Sequence, residues 1–352
     1  MSTAAGLGRV DTAIINAYQG GFPVVERPFE PAAEALRERG IDVSAAELLE
    51  RVQQLDEEGV LTRFGALINA QEIGGAATLV AMHAPEERFD EIAAQVNDHR
   101  EVAHNYERAH PHLNMWFVVS VADPDEVDCV LRDTEAETGQ ETYNLPKEQE
   151  FRVEAKFLLD GPISDGDVDR SELGPDVEPA ERETLTPDER DLVLEIQDGL
   201  PISETPYADV AAELGVDTEW AIRTIKRFNA EEKVRRVGVI PNHYELGYTE
   251  NGMTVWNVPD EKVDEVGPEV AALGFVTHCY QRPRHDGVWP YNFFAMTHGR
   301  SEAESEQRVQ RVKETMEEHW DVGDDDWDTL FSTQILKKTG IRMDERADAN
   351  TE

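Results

Sequence analysis

The pentapeptide HNYER at residues 104–108 returns as HCYQR at residues 278–282, in a strand-like setting both times. Matches that recur in a fixed order along a chain are typical of an internal duplication. The sequence therefore predicts one copy at residues 8–160 and a second at residues 184–343. The other landmarks that match in order are GFP at 21–23 with GLP at 199–201, RFG at 63–65 with RVG at 236–238, and NMWF at 114–117 with YNFF at 291–294.

The first part of each copy has apolar residues at helical spacing. Three short helices followed by a strand-like pair at residues 60–69 predict a winged helix-turn-helix in copy one. The predicted helices are 11–18, 31–39 and 44–55 in copy one and 187–197, 206–214 and 218–229 in copy two.

The second part of each copy alternates strands with helices. In copy one the order is βαββαβ, which is the ferredoxin-like pattern. Helices cover one face of such a sheet, so we expect the free faces of the two copies to pack together and enclose a cavity. The predicted strands are 77–83, 102–110, 114–121 and 150–158, with helices at 86–97 and 125–137.

The fold class is therefore α+β, with duplicated winged helix-turn-helix and ferredoxin-like subdomains. An acidic stretch rich in Pro and Gly separates the copies and is typical of an exposed linker. The predicted domains are helix-turn-helix at 1–70, ferredoxin-like at 71–160, linker at 161–183, helix-turn-helix at 184–243, ferredoxin-like at 244–343 and a tail at 344–352.

Composition excludes several classes of protein. The 352 residues hold no apolar run near the ~20 residues needed to span a bilayer, and we expect no secretory signal. Two cysteines make neither a disulfide framework nor a cysteine-rich metal site, so a reducing cytoplasm is expected. The net charge of −41 is spread along the whole chain, which is typical of proteins from salt-loving organisms.

A helix-turn-helix first suggests DNA, whose phosphates require cationic side chains. The third predicted helix of copy one, residues 44–55, has at least as many acids as bases, whereas copy two offers Arg223, Lys226 and Arg227. Two such different surfaces do not make a symmetric DNA reader. We expect structural helix-turn-helix domains and no DNA partner.

The repeated pentapeptide carries the candidate site. Alternate residues of a strand share a face, and imidazole, phenol and guanidinium groups are costly to bury together without a ligand. Their recurrence favours a flat, polyanionic ligand over a hydrated sheet interface, because Arg binds carboxylates and His can move a proton or ligate a metal. The residues predicted to share a face are His104, Tyr106, Arg108 and His110 in copy one, and His278, Tyr280, Arg282 and Arg284 in copy two.

Other residues are weaker candidates. Trp116 on the following strand either stacks on a planar ligand or belongs to the core. Arg63 adds a potential carboxylate contact, and residues 283–290 form either a lid or an ordinary longer loop. Cys279 is better explained as an inert strand cysteine than as a nucleophile.

Together these motifs resemble the Lrp/AsnC regulators and, more closely, the siroheme decarboxylases. That family carries G-x-P…P-[FY], R-x-G and H-N-Y-x-R…N-x-W-F, which here are residues 21–29, 63–65 and 104–117. Copy two departs from it at Cys279, at Phe294 and in its longer loop, so one full site and one degenerate or supporting copy are expected, and copy one is closer to the family pattern.

The resemblance implies removal of two acetate carboxyl groups of siroheme as carbon dioxide, giving didecarboxysiroheme on an alternative route to haem. It implies no cofactor, no stable protein metal site and two halves that act as a pseudo-dimer; a homodimer is left open. A DNA-binding regulator and a haem sensor are the alternatives. The implied catalytic groups are His104 or His278, as proton donor or as ligand to the substrate iron, with Tyr106 and Tyr280 as further donors. The implied substrate contacts are Arg108, Arg282 and Arg284 on the carboxylates, with His110, Asn114, Trp116, Asn292 and Arg63 beside them.

Overall fold

The structure is a computed structural model that describes residues 6–163 and 184–339. Within these ranges no helix is long and apolar enough to cross a bilayer. The helices are α1 Arg9–Tyr18, α2 Phe29–Glu38, α3 Ala45–Glu57, α4 Phe89–Asp98, α5 Val127–Thr138, α6 Pro187–Ile196, α7 Pro206–Leu214, α8 Thr218–Ala230, α9 Val263–Ala271 and α10 Glu302–Glu317. The strands are β1 Leu61–Ile68, β2 Ala76–Met82, β3 Val102–Arg108, β4 Met115–Val121, β5 Thr142–Leu145, β6 Gln149–Val153, β7 Val234–Pro241, β8 Glu250–Trp256, β9 Val276–Gln281, β10 Phe293–Gly299 and β11 Trp327–Lys338.

The chain forms two compact units that group domains by type and not by copy. The first unit takes its described residues from Met1–Gly75 and Lys156–Gly247, and contains both helix-turn-helix domains. The second unit is formed by Ala76–Ala155 and Tyr248–Gly340, and contains both ferredoxin-like domains. Most of the predicted linker and the whole predicted tail lie outside the described residues.

In the first unit, the predicted strand-like pair at 60–69 is wrong in detail. These residues form the single strand β1, which pairs antiparallel with β7 of the other copy, Gly65 opposite Gly238. The landmark motifs explain the pairing, because Leu200 N donates to Phe64 O and Phe22 N donates to Val237 O, each at 2.7 Å. A Cβ on Gly65 would lie 2.7 Å from the Gly199 Cα, so the repeated glycines allow this close approach. Each wing strand is thus completed by the other copy.

In the second unit, each copy has the ferredoxin-like strand order. The full sheet runs β5-β2-β4-β3-β11-β8-β10-β9-β6. The predicted strand at 150–158 is observed as β6, but it ends at Val153 and its predicted place in the copy-one sheet is wrong. The fourth strand of copy one is β5, and β6 pairs instead with β9 of copy two. In return, β11 pairs with β8 of its own copy through residues 327–331 and with β3 of copy one through residues 332–338. We call these two segments, β6 and the end of β11, the exchanged strands.

In the second unit, the alternation of strand side chains produces apolar clusters, among them three cores. Helices α4 and α5 cover one face of the first sheet, where Phe117 and Val119 are buried. Helices α9 and α10 cover the equivalent face of the second, where Cys279 and Phe293 are buried. The third core contains side chains of both copies, Trp116 and Phe294 among them. We call it the central core. Its side chains fill the middle of the region where the sequence predicted an enclosed cavity.

Candidate active site

His104 and Tyr106 lie on the face of β3 that borders the central core. They stand opposite Val118 and Trp116 of β4, and cross-strand partners share a face. His278 and Tyr280 have the same relation to β10, because Tyr280 stands opposite the central-core residue Phe294. The alternation predicted for these strands is therefore observed in both copies.

The two copies give the imidazole and the phenol the same spacing. The ring centroids of His104 and Tyr106 are 6.2 Å apart, and those of His278 and Tyr280 are 6.0 Å apart. All four side chains are half-buried, so a ligand can reach them without unfolding of the sheet. We call these pairs, with Arg108 and Arg282 respectively, the copy-one and copy-two triads.

The arginine of each triad is held by the opposite copy. Arg108 lies with its guanidinium carbon 5.5 Å from the Tyr106 ring centroid and donates from Nη1 to the Leu330 carbonyl at 2.8 Å. Arg282 lies 5.0 Å from the Tyr280 ring centroid and donates to the Leu145 carbonyl. Burial lowers the pKa of Arg282 to about 10, so it still carries its charge at neutral pH. Each triad is therefore built from both copies.

Two predicted members of the shared face lie beyond the ends of their strands. Strand β9 ends at Gln281, and Arg284 follows in a loop, where it bonds the Asp260 carboxylate at 2.7 Å and the Val258 carbonyl. Strand β3 ends at Arg108, and the Nδ1 of His110 accepts from the Leu113 N–H at 2.8 Å. Strand alternation does not place residues beyond the end of a ladder, and the His110 ring packs against Trp289 of the central core with 5.6 Å between the ring centroids.

Asn114 and Asn292 have a structural role that sequence reasoning missed. The Asn114 amide accepts from Ala84 N at 2.8 Å and donates to Ala84 O at 2.9 Å. Asn292 does the same with Val258, at 2.9 and 3.1 Å. Each side chain thus fixes the chain that follows the first strand of its own sheet.

Trp116 belongs to the core and presents no open stacking surface. It is fully buried, and its indole N–H donates to the Leu113 carbonyl at 2.7 Å. Trp289, from the longer loop of copy two, packs edge-on against it at 5.0 Å and is 1% exposed. The loop at 283–290 therefore anchors itself in the central core. An apolar Val-Trp-Pro run inside a loop was the sequence signal that could have indicated this.

The two remaining candidates, Arg63 and Cys279, have ordinary structural environments. Arg63 lies in the first unit and donates to the Gln197 carbonyl at 2.7 Å. Cys279 is fully buried, and burial raises the pKa of its thiol, as an inert strand cysteine requires.

Comparison with known proteins defines the class first. The profile of the AsnC-like ligand binding domain matches residues 72–152 and 245–337. The profile of the siroheme decarboxylase NirDL-like HTH domain matches residues 11–61 and 189–235. The chain is thus a duplicated protein of the Lrp/AsnC-like architecture, in agreement with the fold expected from the sequence.

Relatives over the full length define the family. The siroheme decarboxylase NirDL subunit of Paracoccus pantotrophus is 31% identical, over 96% of this chain and 98% of that protein. The NirH subunit of the same organism is 45% identical over 45% of this chain and 96% of its own length, so it corresponds to one half. A crystal structure of the siroheme decarboxylase NirDL in complex with an iron-uroporphyrin III analogue aligns with a TM-score of 0.66 at 25% identity, covering 96% of this chain and 94% of that one. The chain belongs to the siroheme decarboxylase family.

Proposed function

We propose that this protein is a carboxy-lyase that removes two acetate carboxyl groups of siroheme and yields didecarboxysiroheme. One observation carries the proposal: a His–Tyr–Arg triad recurs in both copies with the same spacing, each completed by the opposite copy. A hydrated interface between sheets does not require these three side chains at the same spacing in both copies. A carboxylate-fringed iron macrocycle needs fixed cations and a proton donor.

The arginines account for substrate binding. A guanidinium presents five donors in a fixed planar fork, and the hydrogen bond to Leu330 or Leu145 is made by one of them. The bond fixes the orientation of the side chain, and Arg is the residue type that binds carboxylates bidentately. Fixed orientation lowers the entropic cost of binding.

The histidines account for the chemistry. When the carbon–carbon bond to the acetate carboxylate breaks, carbon dioxide leaves and the electron pair stays on the methylene carbon. A proton must then be delivered to that carbon, and His104 or His278 is suited because its ordinary pKa lies near neutrality. Tyr106 or Tyr280, in ring contact with the imidazole, is the second candidate donor. The reaction exchanges a carboxylate for a proton, so it consumes no redox or organic cofactor; the same histidines could instead ligate the iron of the substrate.

The alternative of a DNA-binding regulator is disfavoured by the recognition helix of copy two. Arg227 of α8 is paired with the buried carboxylate of Glu189 and lies 3.7 Å from Glu231. Its charge is therefore already compensated, and a phosphate contact would require that pair to break. Burial also lowers the pKa of Lys226 on the same helix.

Anaerobic incubation of the purified protein with siroheme tests the proposal. Mass spectrometry of the extracted tetrapyrrole should show loss of two carbon dioxide equivalents, and heat-denatured protein provides the control. Bound but unchanged siroheme would favour a haem sensor. A shift of promoter DNA in concentrated salt, without turnover, would favour a regulator. We also propose that the protein is cytoplasmic and that it comes from a salt-rich cell. Decarboxylase activity that rises with salt concentration would support the second point.

A further inference from the structure

The two triads differ in the strands that cover them. β3 is paired by the end of β11, and β9 is paired by β6. Residues directly opposite each other on paired strands place their side chains on the same face. The exchanged strands therefore add side chains to the triads, and these are not the same in the two copies.

In copy one the added side chains opposite the phenol and the imidazole are apolar and cationic. Ile335 stands opposite Tyr106 and is 39% exposed, and Lys338 stands opposite His104. The neighbouring Lys337, opposite Asn105, donates to the Asn97 and His99 carbonyls at the end of α4. Because Lys337 points to the helix side, Lys338 points to the side of the triad. Although Lys338 is exposed as a whole, partial desolvation of its ammonium lowers its pKa.

In copy two the added side chains include an acid. Glu150 stands opposite Tyr280 and forms an ion pair with Lys147, whose ammonium lies 5.8 Å from the Tyr280 ring centroid. Val153 stands opposite His278, in the place that Lys338 takes in copy one. Arg152, the equivalent of Lys337, likewise faces its helix and donates to the Ala271 carbonyl at 2.8 Å.

These differences favour siroheme binding at the copy-one triad. Its ring offers an apolar face, which gains from contact with the exposed Ile335 side chain, and its rim carries carboxylates, which a lysine ammonium attracts as a point charge. In copy two the Glu150–Lys147 ion pair carries no net charge and Val153 is uncharged, so that triad has no equivalent of the attraction that Lys338 offers a carboxylate. Lys147 is already neutralised by that acid.

We propose that siroheme is decarboxylated at the copy-one triad and that Lys338, delivered by the exchanged strand of copy two, binds one of its carboxylates. This inference rests on the proposed function. The copy-two triad then supports the fold of the unit. Lys338 joins Arg108 and His104 as a substrate-binding residue although it lies 234 positions further along the chain than His104.

An anaerobic absorbance titration with siroheme tests the inference. Lys338→Gln should raise the Kd about tenfold, as expected for one lost charged hydrogen bond, with kcat changed much less. Lys338→Arg should recover most of the affinity, which a merely structural role would not predict. Lys147→Gln is the matched control, since it removes a lysine at the other triad, and its Kd should stay within twofold of the wild-type value. Saturation should occur at one siroheme per chain.

Three results would overturn it: a larger loss of affinity in Lys147→Gln than in Lys338→Gln, equal losses in both, or binding of two siroheme molecules per chain. Unfolding midpoints of the variants show whether a loss of affinity comes from misfolding. If Lys338→Gln is misfolded, the affinity of Lys338→Arg decides whether Lys338 binds siroheme. If the wild-type protein itself neither binds nor converts siroheme, the proposed function fails, and this outcome is distinct from the other three.

Discussion

Arg108 Nη1 lies 2.8 Å from the carbonyl oxygen of Leu330, and the two residues are 222 positions apart in sequence. Arg282 makes the equivalent bond to Leu145 across 137 positions. The candidate substrate-binding arginines are therefore also links between the copies.

Arg282→Gln should reduce the free energy of unfolding by ~1–3 kcal/mol, because it leaves the buried Leu145 carbonyl without its donor. Urea denaturation of the full chain measures this. Arg311→Gln is the control, since Arg311 is half-exposed in an ion pair with Glu314, and it should change stability by less than about 0.5 kcal/mol. Equal losses in the two variants would show that the bond to Leu145 contributes nothing.

His104→Ala should lower kcat for decarboxylation by about 100-fold or more, the usual contribution of a positioned proton donor. His278→Ala should lower it at least tenfold less, because the copy-two triad faces Glu150 and Lys147. Single-turnover rates with bound siroheme separate this chemical step from binding. The reverse ranking would place the reaction at copy two.

Trp289→Phe should leave stability nearly unchanged, whereas Trp289→Ala should cost about 3–5 kcal/mol for the cavity that it opens. The indole of Trp289 is 1% exposed, and among the described residues its Nε1 has no hydrogen-bond partner, so Phe loses little. Thermal and urea unfolding of both variants provide the measurement. A large loss in Trp289→Phe would mean that the N–H does have an acceptor.

His319 should contribute stability at acidic but not at alkaline pH. Its Nε2 lies 3.0 Å from Glu269 and its Nδ1 lies 3.2 Å from Glu265, and hydrogen bonding to Glu269 is the main cause that raises its pKa above 6.5. A raised folded-state pKa means that the folded state binds the proton more tightly, so the gain is full below the unfolded pKa and is lost as pH rises through the folded one. Unfolding of His319→Gln across pH at low salt should show a deficit that shrinks toward alkaline pH. A deficit that grows with pH would contradict the assignment.

Much of the architecture could be predicted from local pattern. The helix spacing placed α7 and α8 within a residue of their observed bounds, and the alternation along β3 and β9 placed the imidazole and the phenol of each triad on one face. These features depend on neighbours a few residues apart, which a periodicity reports directly.

The exchanged strands could not be predicted in this way. An alternating segment such as β6 needs a partner edge, but nothing in its own pattern says whether the edge belongs to its own copy or to the other. The same holds for β1, whose partner is β7 and not a neighbouring wing strand. Lys338 was missed as a site residue for this reason, and Arg284 was misplaced because the end of a ladder is set by its partner.

The exchanged end of β11 also sets an order of events during synthesis. Residues 332–338 are the last of the sheet to leave the ribosome, and until they arrive the edge of β3 has no partner on that side. An uncovered edge strand is a template for association with other chains. The nascent protein therefore passes through a stage in which its copy-one sheet is complete in sequence but open at one edge, and chaperone shielding at that stage would favour correct closure.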